Sequence, residues 1–136
     1  PKPLQTPYPP LLIGGSSAAA LRRVAKFGDG WHTLRQSPKQ IAEARAEINK
    51  LAEAAGRDPS MLDFSLTVPL RFTGKPPSKS VEDRTALTGT EDDIAETLRA
   101  YQSAGLNEIV ISDSSADLDS NTEVMSQFME QIWCKL

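Results

Sequence analysis

The sequence predicts an α/β fold built on a parallel sheet, and three observations carry the prediction. Short apolar segments with strand spacing alternate with longer segments of helical spacing, and the pair recurs four times in 136 residues. The first strand-like run, Leu11-Leu12-Ile13, is wholly apolar, as expected of a strand covered on both faces. Three of the four helical segments open on a capping residue and close on glycine. Strand–helix alternation of this kind joins parallel neighbours through right-handed crossovers.

Pro1 to Pro10 carries five prolines and reads as an extended lead-in, since proline donates no backbone hydrogen bond. After Leu11–Ile13 and the pair Gly14-Gly15, Ser16 or Ser17 caps a helix whose Leu21, Val24 and Ala25 share one face. Gly28 is expected to end it in the left-handed conformation. Trp31 to Leu34 reads as the second strand. Ser37-Pro38-Lys39-Gln40 is a strong helix start, with a serine cap, proline at the first position and glutamine closing a capping box. Ile41, Ala44, Ile48, Leu51 and Ala55 follow at helical spacing up to Gly56, and Arg57-Asp58-Pro59 turns the chain. Phe64, Leu66, Val68, Leu70 and Phe72 keep the period of two that marks a strand, and Pro69 inside it suggests a bulge. Residues 73–89 are polar and without period, a connection long enough to be functional or mobile. Thr90-Glu91-Asp92-Asp93 starts a helix with its acids where the dipole favours them; Ile94, Leu98 and Tyr101 form its buried stripe and Gly105 ends it. Ile109-Val110-Ile111 marks a fourth strand, and Val124, Met125, Phe128 and Ile132 a last helix.

Composition narrows the function. With 39% apolar residues the chain can bury a core without staples and reads as one domain over 1–136. A net charge of -3 without basic clustering excludes a nucleic-acid footprint. No apolar run approaches the roughly 20 residues that cross a bilayer, and no secretory signal precedes the first strand. Cys134 is the single cysteine, which precludes an internal disulfide and fits a cytoplasmic protein. No nucleophile–base pair, metal motif or Walker loop is present.

The stretch Gly14-Gly15-Ser16-Ser17 is the principal candidate site. A glycine pair at the carboxyl end of a strand, followed at once by a helix, leaves backbone N–H groups around a small concavity, where the helix dipole favours an anion. The residues alone leave two readings open: a phosphate seat, or an ordinary serine-capped joint.

Several segments together resemble the luciferase-like monooxygenase family of flavin- or deazaflavin-dependent oxidoreductases. They are Pro1-Lys2-Pro3-Leu4-Gln5, Pro9 to Gly15, Ala19 to Ala25, Gly28-Asp29-Gly30-Trp31-His32, Ala54 to Pro59, Leu87 to Ile94 and Tyr101 to Ile111. The resemblance implies the C-terminal half of a (β/α)₈ TIM barrel, strands five to eight, with residues 73–89 as an insertion loop after the seventh strand. It implies that Gly14, Gly15, Ser16 and Ser17 bind the phosphate of FMN or of a deazaflavin, coenzyme F-420. His32 and Thr33 would face the ring or the substrate. Hydride transfer or oxygen chemistry would belong to the cofactor. Many of the family's ring-packing and proton-transfer residues come from strands one to four, so this chain is expected to supply an anchor and one pocket wall, its catalytic residues unknown.

Other residues have plainer expectations. His32, the lone histidine, and Trp31 are expected to be structural, and Asp29 to satisfy backbone donors at the strand entry. Arg71 and Lys75, near the end of the third strand, are placed to meet an anionic substrate. Asp113, Asp117 and Asp119 read as a solvated loop rather than a cation site, and Cys134 as unreactive. A half barrel exposes two sheet edges and an inner face, expected to include Leu12 and Ile111. The chain is therefore expected to pair, either with a missing N-terminal half-barrel or as a homodimer. In the second case it would be a phosphate-ligand-binding or scaffold protein.

Overall fold

A computed structural model describes residues 4–112 and 118–136. The elements in chain order are β1 (Leu12–Gly14), α1 (Ala18–Phe27), β2 (Gly30–Leu34), α2 (Pro38–Ala54), β3 (Asp63–Phe72), β4 (Leu87–Gly89), α3 (Glu91–Ser103), β5 (Glu108–Ser112) and α4 (Leu118–Gln131). Single 3₁₀ turns lie at Pro59–Met61, Val81–Asp83 and Trp133–Lys135. Every strand pairing is parallel: β1 with β2, β2 with β3, and β3 with both β4 and β5.

The long strand β3 organises the sheet. Its Ser65 to Pro69 pair with Glu108 to Ser112, and its Leu70 to Phe72 pair with Leu87 to Gly89. Pro69 causes no bulge. It sits where β3 exchanges one partner strand for the other, opposite Ser112 at the end of the β5 pairing and one residue before the pairing with Leu87 begins. The period-two residues Phe64, Leu66, Val68 and Leu70 are buried among Val24, Trp31, Ile41, Ile48, Ile94 and Tyr101 on the helix side.

The opposite face is read from the register. Leu12 and Gly14, His32 and Leu34, Ser65, Thr67, Pro69 and Arg71, and Val110 and Ser112 alternate with the core positions on their strands. Three apolar side chains on this inner face stay open: Leu12 is 41%, Leu34 62% and Val110 42% exposed. Ile111, expected there, is instead on the helix side. It pairs with Val68 and packs against the core; the strand has the expected bounds, Glu108–Ser112, but the unbroken apolar run Ile109-Val110-Ile111 carries no alternation to tell which face is which.

Five strands replace the four expected from the sequence. The additional strand, Leu87–Gly89, and the turn Val81–Asp83 fall inside the polar stretch 73–89. Three residues are too few to show a period, and the partner of β4 is remote in sequence.

Helix ends explain much of the loop chemistry. Gly56 (φ 73°) and Gly105 (φ 87°) both close helices in the left-handed conformation. At each, the two following N–H groups return to the last turn: Gly56 to Glu53 O and Arg57 to Ala52 O, then Gly105 to Gln102 O and Leu106 to Tyr101 O. Gly28 does not behave this way; its φ is -81° and it is extended. Glycine is needed there for space, since a Cβ would meet Gly30 O, Ile13 Cδ1 and Val24 O at 3.1–3.2 Å. Arg57 covers the end of α1: its guanidinium donates to Ala25 O and Gly28 O at 3.0 and 2.7 Å, and to Val24 O, which also accepts from Gly28 N, at 3.2 Å. A cation at a helix C-terminus also suits the dipole.

Strand entries are locked at the other edge of the sheet. Asp29 Oδ2 accepts from Leu11 N at 2.8 Å, satisfying a backbone donor as expected. Asn107 does the same for β5, pairing with Phe64 through both its backbone N–H and its side-chain oxygen, each at 2.9 Å.

Candidate functional site

The β1–α1 joint stands at the carboxyl edge of the sheet. Gly14 ends β1 opposite His32, and Gly15 turns the chain at φ 100°. Ser17 caps α1 with an extended backbone, its hydroxyl accepting from Ala20 N at 3.2 Å. The buried Trp31 indole donates to Gly15 O at 2.6 Å, which fixes the orientation of that peptide from below. Among the described residues, no carbonyl or side chain accepts from the N–H groups of Gly15, Ser16 or Ser17. The first turn of α1 holds no acid. A Cβ on Gly14 would find its nearest neighbour, His32 O, only at 3.9 Å. Unclaimed donors, the positive end of a helix and open space above Gly14 suit an anion such as a phosphate group.

His32 lies beside this joint on the inner face. Its Nδ1 is 2.8 Å from Ser65 Oγ and its Nε2 is 3.1 Å from Thr67 Oγ1, so two hydroxyls of β3 hold both ring nitrogens. Ser65 Oγ also donates to Trp31 O at 3.3 Å, which leaves it to accept from Nδ1–H. The Thr67 hydroxyl can donate to Nε2 or accept from it, according to the tautomer.

Thr33 is carried to the other side of the sheet. Strand alternation turns it from His32, and it is only 4% exposed. Arg71 is on the inner face but farther up β3, roughly 20 Å from Ser65 along an extended strand. The structure thus groups Gly14, Gly15, Ser16, Ser17 and His32, and sets Arg71 apart beside Thr88 of β4. Ser65 and Thr67 were not singled out from the sequence. The signal for the two is the complement of the apolar period in 64–72, where every odd position but Pro69 is polar or charged.

A second joint, β4–α3, opens on the same edge. Gly89 has φ 124°, and Thr90 caps α3. Asp93 Oδ2 accepts from Thr90 N at 3.0 Å and from Thr90 Oγ1 at 2.7 Å, while Thr90 Oγ1 accepts from Asp93 N at 3.3 Å. These Thr90 hydrogen bonds, foremost the side-chain one, hold the Asp93 carboxyl below its ordinary range, with Arg84 adding to the effect. Arg84 reaches Asp93 O at 3.0 Å, Thr97 Oγ1 at 2.9 Å and Glu96 Oε2 at 3.0 Å, tying residues 73–89 to α3. Tyr101 OH donates to Gln36 O and Arg84 O at 2.8 and 3.1 Å, and burial pushes its phenol well up from the ordinary value.

Among the described residues no cluster of histidine, cysteine or acidic side chains suits a metal ion. Asp113 and Asp117 lie outside the described residues; Asp119 is in the first turn of α4. Among the described residues no helix is long and apolar enough to cross a membrane.

Parallel strands, helices on one face and glycine-rich strand-to-helix joints at the carboxyl edge define half of a (β/α)₈ barrel. The family model of the luciferase-like monooxygenases matches residues 1–74, and the chain belongs to that family. Solved structures agree on the fold. A monooxygenase from Streptomyces bottropensis superposes with TM-score 0.74 at 17% identity, over 99% of this chain and 50% of its own. A coenzyme F420-dependent tetrahydromethanopterin reductase from Methanopyrus kandleri gives 0.71 at 12% identity, over 93% and 50%. An F420-dependent secondary alcohol dehydrogenase, solved with an F420–acetone adduct, gives 0.68 at 14% identity, over 90% and 48%. The chain spans about half the length of these structures.

Proposed function

We propose that this chain is the C-terminal portion of a flavin- or deazaflavin-dependent oxidoreductase or monooxygenase, contributing the cofactor's phosphate seat and one wall of the substrate pocket. The observation that carries the reading is the β1–α1 joint, where, among the described residues, donors of Gly15, Ser16 and Ser17 stay unclaimed at an acid-free helix start beside His32. Gly14 and Gly15 leave room for the phosphate, and Ser16 and Ser17 add hydroxyls. His32, held by Ser65 and Thr67, faces the ring or substrate, with Thr33 behind it; Arg71 belongs to the substrate side. FMN or coenzyme F-420 would supply hydride or oxygen chemistry when bound. A missing N-terminal half would close the barrel over Leu12, Leu34 and Val110 and bring further pocket residues. A reducing cytoplasm suits the exposed thiol of Cys134.

Titration with FMN, coenzyme F-420 and riboflavin, followed by fluorescence, tests the seat. FMN should bind at least about tenfold more tightly than riboflavin, which lacks the phosphate. Equal affinities, or none, would remove the phosphate seat. Turnover by the chain alone would contradict the assignment of catalytic groups to another half.

The exposed inner-face residues Leu12, Leu34 and Val110 favour a second reading, in which two copies pair as a non-catalytic phosphate-ligand-binding or scaffold dimer. Light scattering separates the two: a dimer without turnover supports the second reading, and a monomer that gains turnover with an added N-terminal half supports the first.

A further inference from the structure

The indole of Trp31 reaches the β1–α1 joint from inside the molecule. Trp31 pairs with Ile13 of β1 and Phe64 of β3, is wholly buried, and meets the Phe64 ring edge-on, with centroids 6.4 Å apart and planes at 75°. Its carbonyl accepts from Ser65 Oγ at 3.3 Å, so backbone and ring are both held. The Nε1–H of this fixed ring donates to Gly15 O at 2.6 Å. On the other side of the joint, Gly15, Ser16 and Ser17 are exposed.

This hydrogen bond decides which way the Gly15–Ser16 peptide faces. The peptide is trans, and in a trans peptide the C=O and N–H point in opposite directions. Gly15 O is drawn inward to the indole, so Ser16 N–H points outward, above the acid-free start of α1. Glycine at φ 100° leaves the following peptide free to rotate, since no Cβ opposes the turn. A flipped peptide would present its carbonyl oxygen to an anion at the joint and withdraw a donor from it. Both changes repel the anion. Without the indole N–H, an inward carbonyl would face the core with no donor, which favours the flip.

We infer that Trp31 is a positioning residue of the anion seat: its indole N–H latches the Gly15–Ser16 peptide with the carbonyl inward and Ser16 N–H aimed at the ligand's phosphate. The inference rests on the phosphate seat proposed above and adds to the packing role expected of Trp31 from the sequence. The indole itself does not touch the ligand. Its effect is selectivity: the latch raises affinity for a flavin that carries an anionic group at the joint and leaves the affinity of a neutral flavin unchanged.

The test compares the whole chain with two forms altered at position 31. Trp31→Phe keeps an aromatic ring against Phe64 and removes the donor. The benzothiophene analogue of tryptophan, placed at position 31 alone, removes the donor and keeps the shape. FMN and riboflavin are titrated by flavin fluorescence, and inorganic phosphate by NMR against sodium chloride of equal ionic strength. The unaltered chain should favour FMN over riboflavin at least about tenfold, and its Ser16 amide signal should shift saturably with phosphate. In both altered forms the preference should fall to about threefold or less, with riboflavin affinity unchanged and no saturable shift at Ser16. The Ala20 amide, bonded to Ser17 Oγ, reports that the start of α1 is intact. If Trp31→Phe disturbs that signal, the benzothiophene form decides. FMN and riboflavin weakened alike would give Trp31 a packing role alone and overturn the inference. An FMN preference that survives in the benzothiophene form overturns it and leaves the seat standing. An unaltered chain with neither FMN preference nor Ser16 response removes the seat, and the inference falls with it.

Discussion

The β1–α1 and β4–α3 joints use one backbone device for opposite ends. Each turns at a glycine of positive φ, 100° at Gly15 and 124° at Gly89, and each starts a helix on a hydroxyl cap at the carboxyl edge of the sheet. At β4–α3 the chain supplies its own anion: Asp93 Oδ2 accepts from the backbone and hydroxyl of Thr90, among three acids in the first turn. At β1–α1 no carboxylate is present and the donors stay unclaimed among the described residues. An internal carboxylate makes the α3 start a structural lock, whereas the α1 start, without one, is the helix start proposed above as the phosphate seat.

The largest effect that sharpens this contrast lies in the lock. Arg84→Ala removes a guanidinium, 10% exposed, that serves Asp93, Glu96 and Thr97, and should cost about 3 kcal/mol of stability in urea unfolding. FMN affinity at the other joint should be unchanged; its loss would mean that the two joints are not independent.

Alanine at the two strand-ending glycines should separate next. A Cβ on Gly89 would stand 2.7 Å from Asp93 Cβ in a conformation that side chains avoid, so Gly89→Ala should destabilise by about 2 kcal/mol. Gly14→Ala, with nothing nearer than 3.9 Å, should stay within about 0.5 kcal/mol in the same assay. Equal costs would break the distinction between a filled joint and an open one.

Converting the seat into a lock is the third test. Ser16→Asp brings an internal carboxylate to the α1 start. It should lower FMN affinity at least about tenfold, roughly 1.4 kcal/mol, while leaving thermal stability equal or slightly higher. Undiminished FMN binding would show that the cofactor's phosphate sits elsewhere.

Acid should produce the smallest effect. The folded pKa of Asp93 is depressed, so its stabilisation is fully present above the ordinary carboxylate value near 3.8 and is lost as pH falls through the lower folded value. Below about pH 4, hydrogen exchange at Thr90 N–H should accelerate before that at Ala20 N–H, whose acceptor is the serine hydroxyl of Ser17. Simultaneous loss would mean that Asp93 is not the anion holding the α3 start.

Much of the scaffold was legible in advance because its signals are local. The Ser37–Gln40 box closes as its spacing implies, with Gln40 Oε1 accepting from Ser37 N at 2.9 Å. Leu21, Val24 and Ala25 are buried together, as are Ile94, Leu98 and Tyr101. Asp29 caps a strand entry as its position suggests. The misses share a cause. β4 is three residues paired with the end of β3 across the polar stretch 73–86, Gly28 is constrained by neighbours rather than by φ, and Ile111 lies in an apolar run whose facing only the pairing with β3 decides. His32 stood out as the lone histidine, but its two hydroxyl partners lie on another strand.

By itself the sequence determined the alternation of strands and helices and the caps that bound them, because each follows from spacing and short-range sterics along the chain; the family came from the resemblance of whole segments. Only the tertiary structure decided which helix start stays open, how the histidine ring is held, and that the Trp31 indole meets the Gly15 carbonyl. Those depend on register between strands distant in sequence, where a shift of one residue exchanges the core face for the pocket face.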